Sequence, residues 1–425
     1  SNDSDSGLRA EGSRKEPTRW GCAAGQSAIQ DRQCTSTPGI GLGLPAHNHY
    51  ATLPGGLSTP GQGVGAMRPD EARSEFRRKA LIVGMLFAFV ALIYLVFHVS
   101  RFERLTDVNA MDYAQIARHV ARGEGFTTSF IKPLGLTYEP SIVNHRDLTY
   151  PPLHVGLTSV VMHALGPNDR AASHASGVAF LLTIPVLFAL AVRLFDWRTG
   201  VLATLLFGTH LANLGYAVSG LEASLLTLLV TGMLLLLHCA ASSEKYELLW
   251  VAAAGVAMGL IYLTKYVWIA ALIPAIAYLI IMKPERRFVR VVIFVAVLAI
   301  VATPWLYRNY SLTGDPFFTL RWHELVGQTR AHPANTIYRE FTEDKPPYVA
   351  FVFANPRAVF EKVRGGIMTL YRTFHDLGGF FVTPFFLVGI LVRLGDDQIE
   401  RIRYLGYGLL VVVSVVLTLF IASPR

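Results

Sequence analysis

Three carboxylates stand out because each lies at the edge of a long apolar run. Asp107 and Asp112 follow the first apolar run, and Glu222 is the only Asp, Glu, Lys or Arg from Thr199 to Ser243. A carboxylate at the end of a membrane span is partly desolvated, which raises its pKa and suits a general base. A charge in a minimal turn between two spans is costly unless it has a partner or a role. These three residues are the candidate catalytic groups.

Five further residues could bind a charged substrate beside these carboxylates. Lys265 is a lone cation in a turn between two apolar runs, and Arg308 follows a run that ends in aromatic residues. An ammonium binds a phosphate as a point charge, and a guanidinium can grip one with two hydrogen bonds. Asn109, Tyr113 and His145, in the first long polar loop, are the remaining candidate substrate-binding residues.

Each candidate also has a plainer structural interpretation. Asp107 or Asn109 would cap a surface helix that begins near Ala110. A surface turn tolerates a polar residue such as Glu222, and a lysine at the end of a span can extend its ammonium to the interface. Lone histidines are more often structural than catalytic, and an arginine beside interfacial aromatic residues can contact lipid headgroups. Residue type alone leaves both interpretations open.

Several kinds of site have no motif in this sequence. No His-x-x-His or His-Glu-x-x-His spacing occurs, so no metal site is predicted from histidines. The acidic residues near Asp112 permit a divalent cation without requiring one, and no other cofactor is predicted. The chain has no P-loop and no Gly-x-Ser-x-Gly motif, which argues against an ATP-driven pump. Its three cysteines form no Cys-x-x-Cys pair and predict no disulfide framework.

The composition predicts a polytopic membrane protein. Hydrophobic residues make up 52% of the 425 residues, charged residues only 16%, and the mean hydropathy is +0.39. About a quarter of the residues are charged in a typical soluble domain. The formal charge of +8 comes from basic residues in short segments beside apolar runs, which is the positive-inside pattern rather than a nucleic-acid surface. We therefore expect membrane lipids, and no nucleic acid, as partners.

Charge-free runs of about 17 or more residues predict the transmembrane helices. A shorter apolar piece, 153–165, corresponds to about 20 Å of helix, which is too short for a hydrocarbon core of about 30 Å. The prolines before it suit a helix start, so we predict a short interfacial or re-entrant helix there. The fold class is an all-α polytopic membrane protein with about nine transmembrane helices plus juxtamembrane helices in the outer loops. The predicted spans are 80–98, 171–192, 199–221, 223–243, 248–264, 266–282, 291–307, 377–392 and 404–424.

Loop charges orient these spans. Basic residues before the first span place the N-terminus inside, and if 153–165 does not cross, the other basic loops also lie inside. If 153–165 crossed, those basic loops would face outward, so the first topology is favoured. All candidate residues then share the outer face of the membrane; they are Asp107, Asn109, Asp112, Tyr113, His145, Glu222, Lys265 and Arg308.

The chain divides into five predicted regions. The Gly-, Ser-, Pro- and Thr-rich head is expected to be disordered or non-native, because it has no apolar periodicity. An amphipathic helix is predicted near Val359–Tyr371, lying along the membrane surface. The regions are the head 1–66, a basic cytosolic segment 67–79, a transmembrane core 80–306 with outer loop 99–152, an outer loop 307–376, and C-terminal spans 377–425 that look truncated.

Four segments, taken in order, resemble the C superfamily of membrane glycosyltransferases. The closest resemblance is to bacterial relatives of protein O-mannosyltransferases and to the lipid A aminoarabinose transferase. Each motif is weak alone, but the order and spacing of the set are fairly specific, and the similarity runs from about 80 to 425. The segments are Asp112-Tyr-Ala-Gln-Ile-Ala-Arg with Gly123-Glu-Gly-Phe, Tyr150-Pro-Pro-Leu-His, Leu263-Thr-Lys-Tyr, and Thr303-Pro-Trp-Leu-Tyr-Arg-Asn-Tyr with Gly314-Asp-Pro-Phe.

The resemblance implies where a base would lie. In that family an acidic residue of the first outer loop serves as the base or lies near it, and a second acidic residue, which Glu222 matches, lies in the next outer loop. The family's usual aspartate falls at Asn109, with Asp107 and Asp112 on either side. The base is therefore assigned to this group, and a catalytically inactive relative is an open alternative.

The implied reaction is transfer of a hexosyl or pentosyl group from a polyprenyl-phosphate donor to a protein, lipid or glycan acceptor. It would occur on the outer face of a bacterial inner (plasma) membrane, facing the periplasm or exterior, and direct displacement would invert the anomeric carbon. Lys265 and Arg308 would offset the charge of the departing phosphate. The alternative class is a transporter or lipid flippase, which usually carries ionisable groups near the bilayer midplane, often in repeated halves.

Overall fold

The computed structural model describes residues 69–420 except 328, 330, 331, 333–336, 346, 378, 393 and 394. The predicted head, residues 1–66, therefore lies outside the described residues. In the described part, regular structure is helical, and the two β-paired residues, Thr127 and Arg146, form an isolated bridge. The predicted all-α class is confirmed.

Fifteen α-helices and three short 3-10 helices lie in the described part of the chain. The 3-10 helices are Pro133–Thr137, Tyr266–Ala271 and Leu320–Trp322. The α-helices are α1 (Pro69–Arg101), α2 (Val108–Ala121), α3 (Pro152–Leu165), α4 (Asp169–Leu194), α5 (Trp197–Thr209), α6 (Leu211–Val218), α7 (Ala223–Ser242), α8 (Glu247–Thr264), α9 (Leu272–Met282), α10 (Arg287–Thr313), α11 (His323–Val326), α12 (Tyr348–Ala354), α13 (Pro356–Leu377), α14 (Gly379–Leu391) and α15 (Asp397–Phe420).

The expected count of nine spans is not confirmed. Among the described residues, six helices are long and apolar enough to cross a membrane, namely α1, α4, α7, α8, α10 and α15, and α5 with α6 makes a seventh if this pair, bent by 59°, is one span. The predicted span 266–282 opens as a 3-10 helix before α9, so its α-helical part is only 11 residues long. The predicted span 377–392 coincides with α14, which has 13 residues. Charge-free length does not reveal such breaks in helix type.

Helix α3 starts and ends against the first polar loop. The residue before its prolines, Tyr150, contacts Asp112 of α2. Just after α3, Asp169 accepts from the backbone N–H of Leu105 at 3.5 Å and lies 3.9 Å from the Arg118 guanidinium. Both ends of α3 therefore lie at the end of the helix bundle that carries the first polar loop, which we call the loop side. The predicted topology requires this arrangement.

Two amphipathic helices occur where the periodicity predicts them. Helix α2 covers most of the segment 112–122, whose apolar residues Tyr113, Ile116, Ala117 and Val120 have helical spacing. It is followed by Gly123 and Gly125, both at φ +79°, a backbone conformation that favours glycine. Helix α13 contains the predicted segment Val359–Tyr371. It presents exposed apolar side chains around a cavity of about 440 Å³, lined by Phe360, Val363, Arg364, Ile367, Met368 and Tyr371.

Helices α8 and α10 pack closely through two glycines of α8. A Cβ on Gly255 would lie 2.7 Å from the backbone oxygen of Phe294, and one on Gly259 would lie 2.8 Å from Cβ of Val301. Small residues four apart allow helix backbones to approach one another in membranes. This Gly-x-x-x-Gly pair therefore fixes the distance between two spans that support the loop-side residues.

Adding one methyl group at Gly255 should destabilise the fold. The new Cβ meets backbone, which cannot swing aside as a side chain could, so we expect Gly255→Ala to lower the free energy of unfolding by about 1–3 kcal/mol. Reversible unfolding of the purified protein in mixed detergent measures this change. Gly232→Ala in α7 is the matched control, because nothing lies within 4 Å of its added Cβ and alanine favours a helix. Equal stability of the two variants would contradict the close α8–α10 contact.

Candidate active site

Asp112 is a buried carboxylate that accepts hydrogen bonds from two tyrosine hydroxyls. It lies in α2, beside the apolar face that packs Ala110 and Tyr113 inward, and is only 4% exposed. Its Oδ2 accepts from Tyr150 at 2.8 Å and from Tyr338 at 3.0 Å. Burial is the main reason why the pKa of Tyr338 is raised to about 12 and that of Tyr150 much further, so both hydroxyls keep their protons.

A buried lysine lies between Asp112 and a second carboxylate. The Nζ atom of Lys132 is 3.2 Å from Oδ2 of Asp112 and 3.6 Å from Oδ1 of Asp147. The ring centroids of Tyr150 and Tyr338 are 5.0 and 5.6 Å from the same Nζ. We call these five residues, Asp112, Lys132, Asp147, Tyr150 and Tyr338, the outer-loop cluster.

Asn109 connects the outer-loop cluster to a further ion pair. Its Oδ1 lies 3.0 Å from the Tyr150 hydroxyl and accepts from Nη2 of Arg321 at 2.6 Å. Arg321 also pairs with Glu324. The backbone of this segment is tied to α13, because Lys362 donates to the backbone oxygens of Glu324, Leu325 and Gly327. Since Tyr150 has one proton, it donates to either Asn109 or Asp112 at a time.

Glu222 and Lys265 form the second charged group. Oε1 of Glu222 accepts from Nζ of Lys265 at 2.7 Å; the carboxylate is buried, whereas the Lys265 side chain is 42% exposed. Burial alone would raise the pKa of Glu222, but the Lys265 ammonium outweighs it and holds that pKa below its ordinary value. Glu222 is thus a charged, compensated residue at the start of α7.

Tyr113 and the turn before Glu222 join the two groups. The Tyr113 ring centroid is 4.6 Å from that of Tyr150 and 5.0 Å from that of His154, whose Nε2 lies 2.9 Å from the Gly220 backbone oxygen. Burial and the nearby Glu222 carboxylate raise the pKa of Tyr113. The turn is packed against the first polar loop, because a Cβ on Gly220 would lie 2.8 Å from the Leu105 side chain. Asp112 and Glu222 therefore lie on the same side of the bundle.

Arg308 completes the cationic side of the site. Its Nη2 donates to the backbone oxygen of Asp147 at 2.8 Å, and its guanidinium carbon lies 4.4 Å from the ring centroid of Trp305. Trp305 in turn donates to the hydroxyl of Tyr266, the residue next to Lys265, at 2.6 Å. The two cations thus flank one aromatic pair, and the partly exposed Lys265 can reach an anion at the interface.

Comparison with protein families identifies the membrane region. The family described as dolichyl-phosphate-mannose-protein mannosyltransferase matches residues 149–307, which include the short helix α3, Glu222 and Lys265. The matched residues make up less than half of the chain, and the match agrees with the resemblance that the four sequence segments indicate. No curated protein matches the chain significantly.

Solved structures of two membrane proteins are similar to this chain at low identity. ArnT from Cupriavidus metallidurans bound to undecaprenyl phosphate is 19% identical, with a TM-score of 0.44, over 78% of this chain and 59% of that one. The Archaeoglobus fulgidus oligosaccharyltransferase in complex with Zn and sulfate is 15% identical, with a TM-score of 0.41, over 79% of this chain and 48% of that one. The chain thus spans about half to three fifths of the length of these structures.

Two predicted site residues have their hydrogen bonds outside the charged groups. Asp107 is exposed and caps α2, accepting from the backbone N–H groups of Asn109 at 2.7 Å and Ala110 at 3.3 Å. His145 is buried, and its Nδ1 lies 2.8 Å from the Ser141 backbone oxygen. For both residues the contacts match the plainer structural interpretation.

Other residues of the site carried little or no sequence signal. Asp147 and Tyr150 lie within or just before the Tyr-Pro-Pro segment, which the motif comparison singles out. Lys132 and Tyr338 lie in irregular loops and Arg321 in the 3-10 helix Leu320–Trp322, all without any motif. In the part of the chain that the structure describes, no three His, Cys, Asp or Glu residues are grouped so as to hold a metal ion.

The Glu222–Lys265 pair gives a prediction with a definite pH dependence. In the wild type the folded-state pKa of Glu222 is lowered, so its contribution to stability is present above about 4.5 and is lost as pH falls through the folded pKa. In Lys265→Met the ammonium no longer offsets burial, which is the largest single influence on Glu222, so the folded-state pKa of Glu222 should rise. The variant should therefore be less stable than the wild type at pH 7.5 and approach it near pH 4.

Unfolding midpoints across this pH range measure the effect. The double variant Glu222→Gln/Lys265→Met is the control, because without a buried carboxylate it should recover most of the stability at pH 7.5. If the single and double variants were equally unstable at pH 7.5, the pair would not act through charge.

Proposed function

We propose that this chain transfers a sugar from a polyprenyl-phosphate donor to an acceptor hydroxyl at the outer face of the membrane, with Asp112 as the base. The supporting observation is that Asp112, buried beside Lys132, accepts hydrogen bonds from hydroxyl groups, those of Tyr150 and Tyr338. A carboxylate in this arrangement is suited to accept the proton of an attacking hydroxyl.

The donor would lie across the interface, with its isoprenoid tail in lipid and its phosphate at the loop side of the bundle. Lys265 is the more exposed cation, and Arg308 is held between aromatic side chains and the backbone oxygen of Asp147. Together they would present a partly exposed ammonium and a guanidinium held by its contacts to one phosphate. The family match to a description that names a dolichyl-phosphate sugar supports a donor of this chemical class.

The reaction is a single displacement. The acceptor oxygen forms a bond to the anomeric carbon while the bond from that carbon to the phosphate oxygen breaks. The acceptor proton passes to Asp112, and the electron pair leaves with the lipid phosphate, whose charge Lys265 and Arg308 stabilise. Attack opposite to the leaving phosphate inverts the anomeric carbon. We propose a hexosyl or pentosyl group as the donor sugar and a protein hydroxyl, a lipid or a glycan as the acceptor. We propose further that the site faces the periplasm or exterior of a bacterial inner membrane.

Asn109 is compatible with an active enzyme because Asp112 reaches the same hydroxyl. The side-chain oxygens of both residues lie within 3.0 Å of the Tyr150 hydroxyl. Where the resemblance expects an aspartate at 109, this chain has an amide that accepts from Arg321, and the carboxylate lies one helical turn further on. We propose that the base role falls to Asp112 for this reason.

Replacing Asp112 by Asn should abolish the proposed transfer. The amide cannot take the acceptor proton, and loss of a general base typically lowers the rate by about 10²–10⁴-fold. The measurement is transfer of label from polyprenyl-phosphate sugars in membranes that contain the purified protein. Asp107→Asn is the matched control, since asparagine also caps a helix and this residue is exposed. Full activity of Asp112→Asn would remove it as the base, and Glu222→Gln would then be the next variant to assay.

Replacing either donor-side cation should weaken donor binding and slow departure of the phosphate. We expect Lys265→Ala and Arg308→Ala each to raise KM for the lipid donor and to lower kcat/KM by about 10-fold or more. Initial rates over a range of donor concentrations measure both constants. Arg104→Ala removes an exposed cation of the first polar loop and should leave both constants unchanged. Transport of a solute into liposomes, without any glycosyl transfer, would favour the transporter alternative.

A further inference from the structure

The outer-loop cluster buries two carboxylates, and a site of that kind often holds a divalent cation. We infer that Lys132 takes the place of such an ion: its ammonium is a built-in cation between Asp112 and Asp147, and the transfer uses no metal there. The inference rests on the proposed function and concerns what balances the charge of that same site. Lys132 is accordingly a positioning residue, acting through Asp112.

The position of the ammonium is the first support. Its Nζ lies 3.2 Å from one carboxylate and 3.6 Å from the other, and the Lys132 side chain is 2% exposed. Two buried carboxylates without a cation would carry a large desolvation cost. The other nearby cations have different partners, since Arg321 pairs with Glu324 and Arg308 donates to a backbone oxygen. Arg308 also interacts with the Asp147 charge, but among the described residues Lys132 is the cation within 4 Å of both carboxylates.

The carboxylate oxygens are the second support, because they are not free to form a metal-binding set as long as the Lys132 ammonium lies between them. Oδ2 of Asp147 already accepts from the backbone N–H groups of Thr149 and Tyr150, each at 2.9 Å. Oδ2 of Asp112 accepts from two protonated tyrosine hydroxyls. Magnesium and calcium require oxygen ligands at about 2.0–2.6 Å with lone pairs directed at the ion. An ammonium needs only proximity, which the observed distances provide.

The rigidity of Lys132 is the third support. Its backbone precedes the 3-10 helix Pro133–Thr137 and accepts from the Gly135 N–H at 2.7 Å, while the next apolar side chain, Leu134, is completely buried. The rings of Tyr150 and Tyr338 lie beside the ammonium where water would otherwise stand, and such contacts favour a cation. The charge is thus held in one place rather than carried by a mobile surface lysine.

The test uses Mn²⁺ alone as the probe on the purified full chain in detergent. The wild type should bind no Mn²⁺ in this cluster, and its transfer activity should be unchanged by EDTA. Lys132→Ala removes the ammonium and leaves two facing carboxylates, so it should bind one Mn²⁺, measured by electron paramagnetic resonance. Its transfer in EDTA should fall about 10-fold or more and recover several-fold with Mn²⁺. Lys132→Arg keeps the charge and should stay independent of metal.

Two controls separate this role from a merely structural one. Lys132→Ala/Asp147→Asn should lose the Mn²⁺ site, because one carboxylate is gone. Lys265→Ala should not gain a site, because its ion pair contains one carboxylate only. A wild type that binds Mn²⁺ through Asp112, or that loses transfer in EDTA and regains it with Mn²⁺, would overturn the inference. Measuring Mn²⁺ binding to the wild type requires neither glycosyl transfer nor Lys132→Ala. That measurement therefore tests the inference even if the donor proposal fails or Lys132→Ala does not fold.

Discussion

Removing a carboxylate from water is the constraint that governs the loop side of this protein. Asp112, Asp147 and Glu222 are all buried, and each has a cation within 4 Å. Lys132 lies in the same loop as Asp112 and Asp147, whereas Glu222 and Lys265 come from two turns that must meet for the charge to be tolerated. For this pair, charge compensation and assembly of the site are one event, because the two turns cannot separate without leaving a charge uncompensated in a poorly solvated environment.

The membrane helices matter chiefly because they hold those loops at one level. Close contact between α8 and α10 through Gly255 and Gly259 fixes the spacing of two spans, one preceding Lys265 and the other carrying Arg308. Helix α3, too short to cross, returns to the loop side and brings Tyr150 onto α2. The apolar part of the chain thus serves to position a few polar groups at its edge.

How far the sequence predicts this structure differs from one feature to the next. Helical periodicity predicts α2 and α13, and the count of charge-free residues finds the long spans, because both signals are local. The 3-10 opening at Tyr266–Ala271 was not predicted, since charge-free length carries no information on helix type. The sequence could not predict three site residues, Lys132, Arg321 and Tyr338. They lie in segments without hydrophobic periodicity, and the contacts that these residues make with Asp112 and Asn109 depend on tertiary packing. The Gly-x-x-x-Gly pair of α8 is visible in the sequence and indicates a close helix–helix contact. The sequence alone does not indicate which helix the pair contacts.

The long separation between members of the outer-loop cluster has a consequence for biosynthesis. Asp112 and Tyr338 are 226 residues apart, and α4 to α10 lie between them. A nascent chain with only its first spans inserted would present Asp112 without its second tyrosine and Asn109 without Arg321. The centre can be complete only after α10 and the loop that follows it have been synthesised and have packed against α2, so a partly synthesised chain leaving the ribosome would carry an unfinished centre.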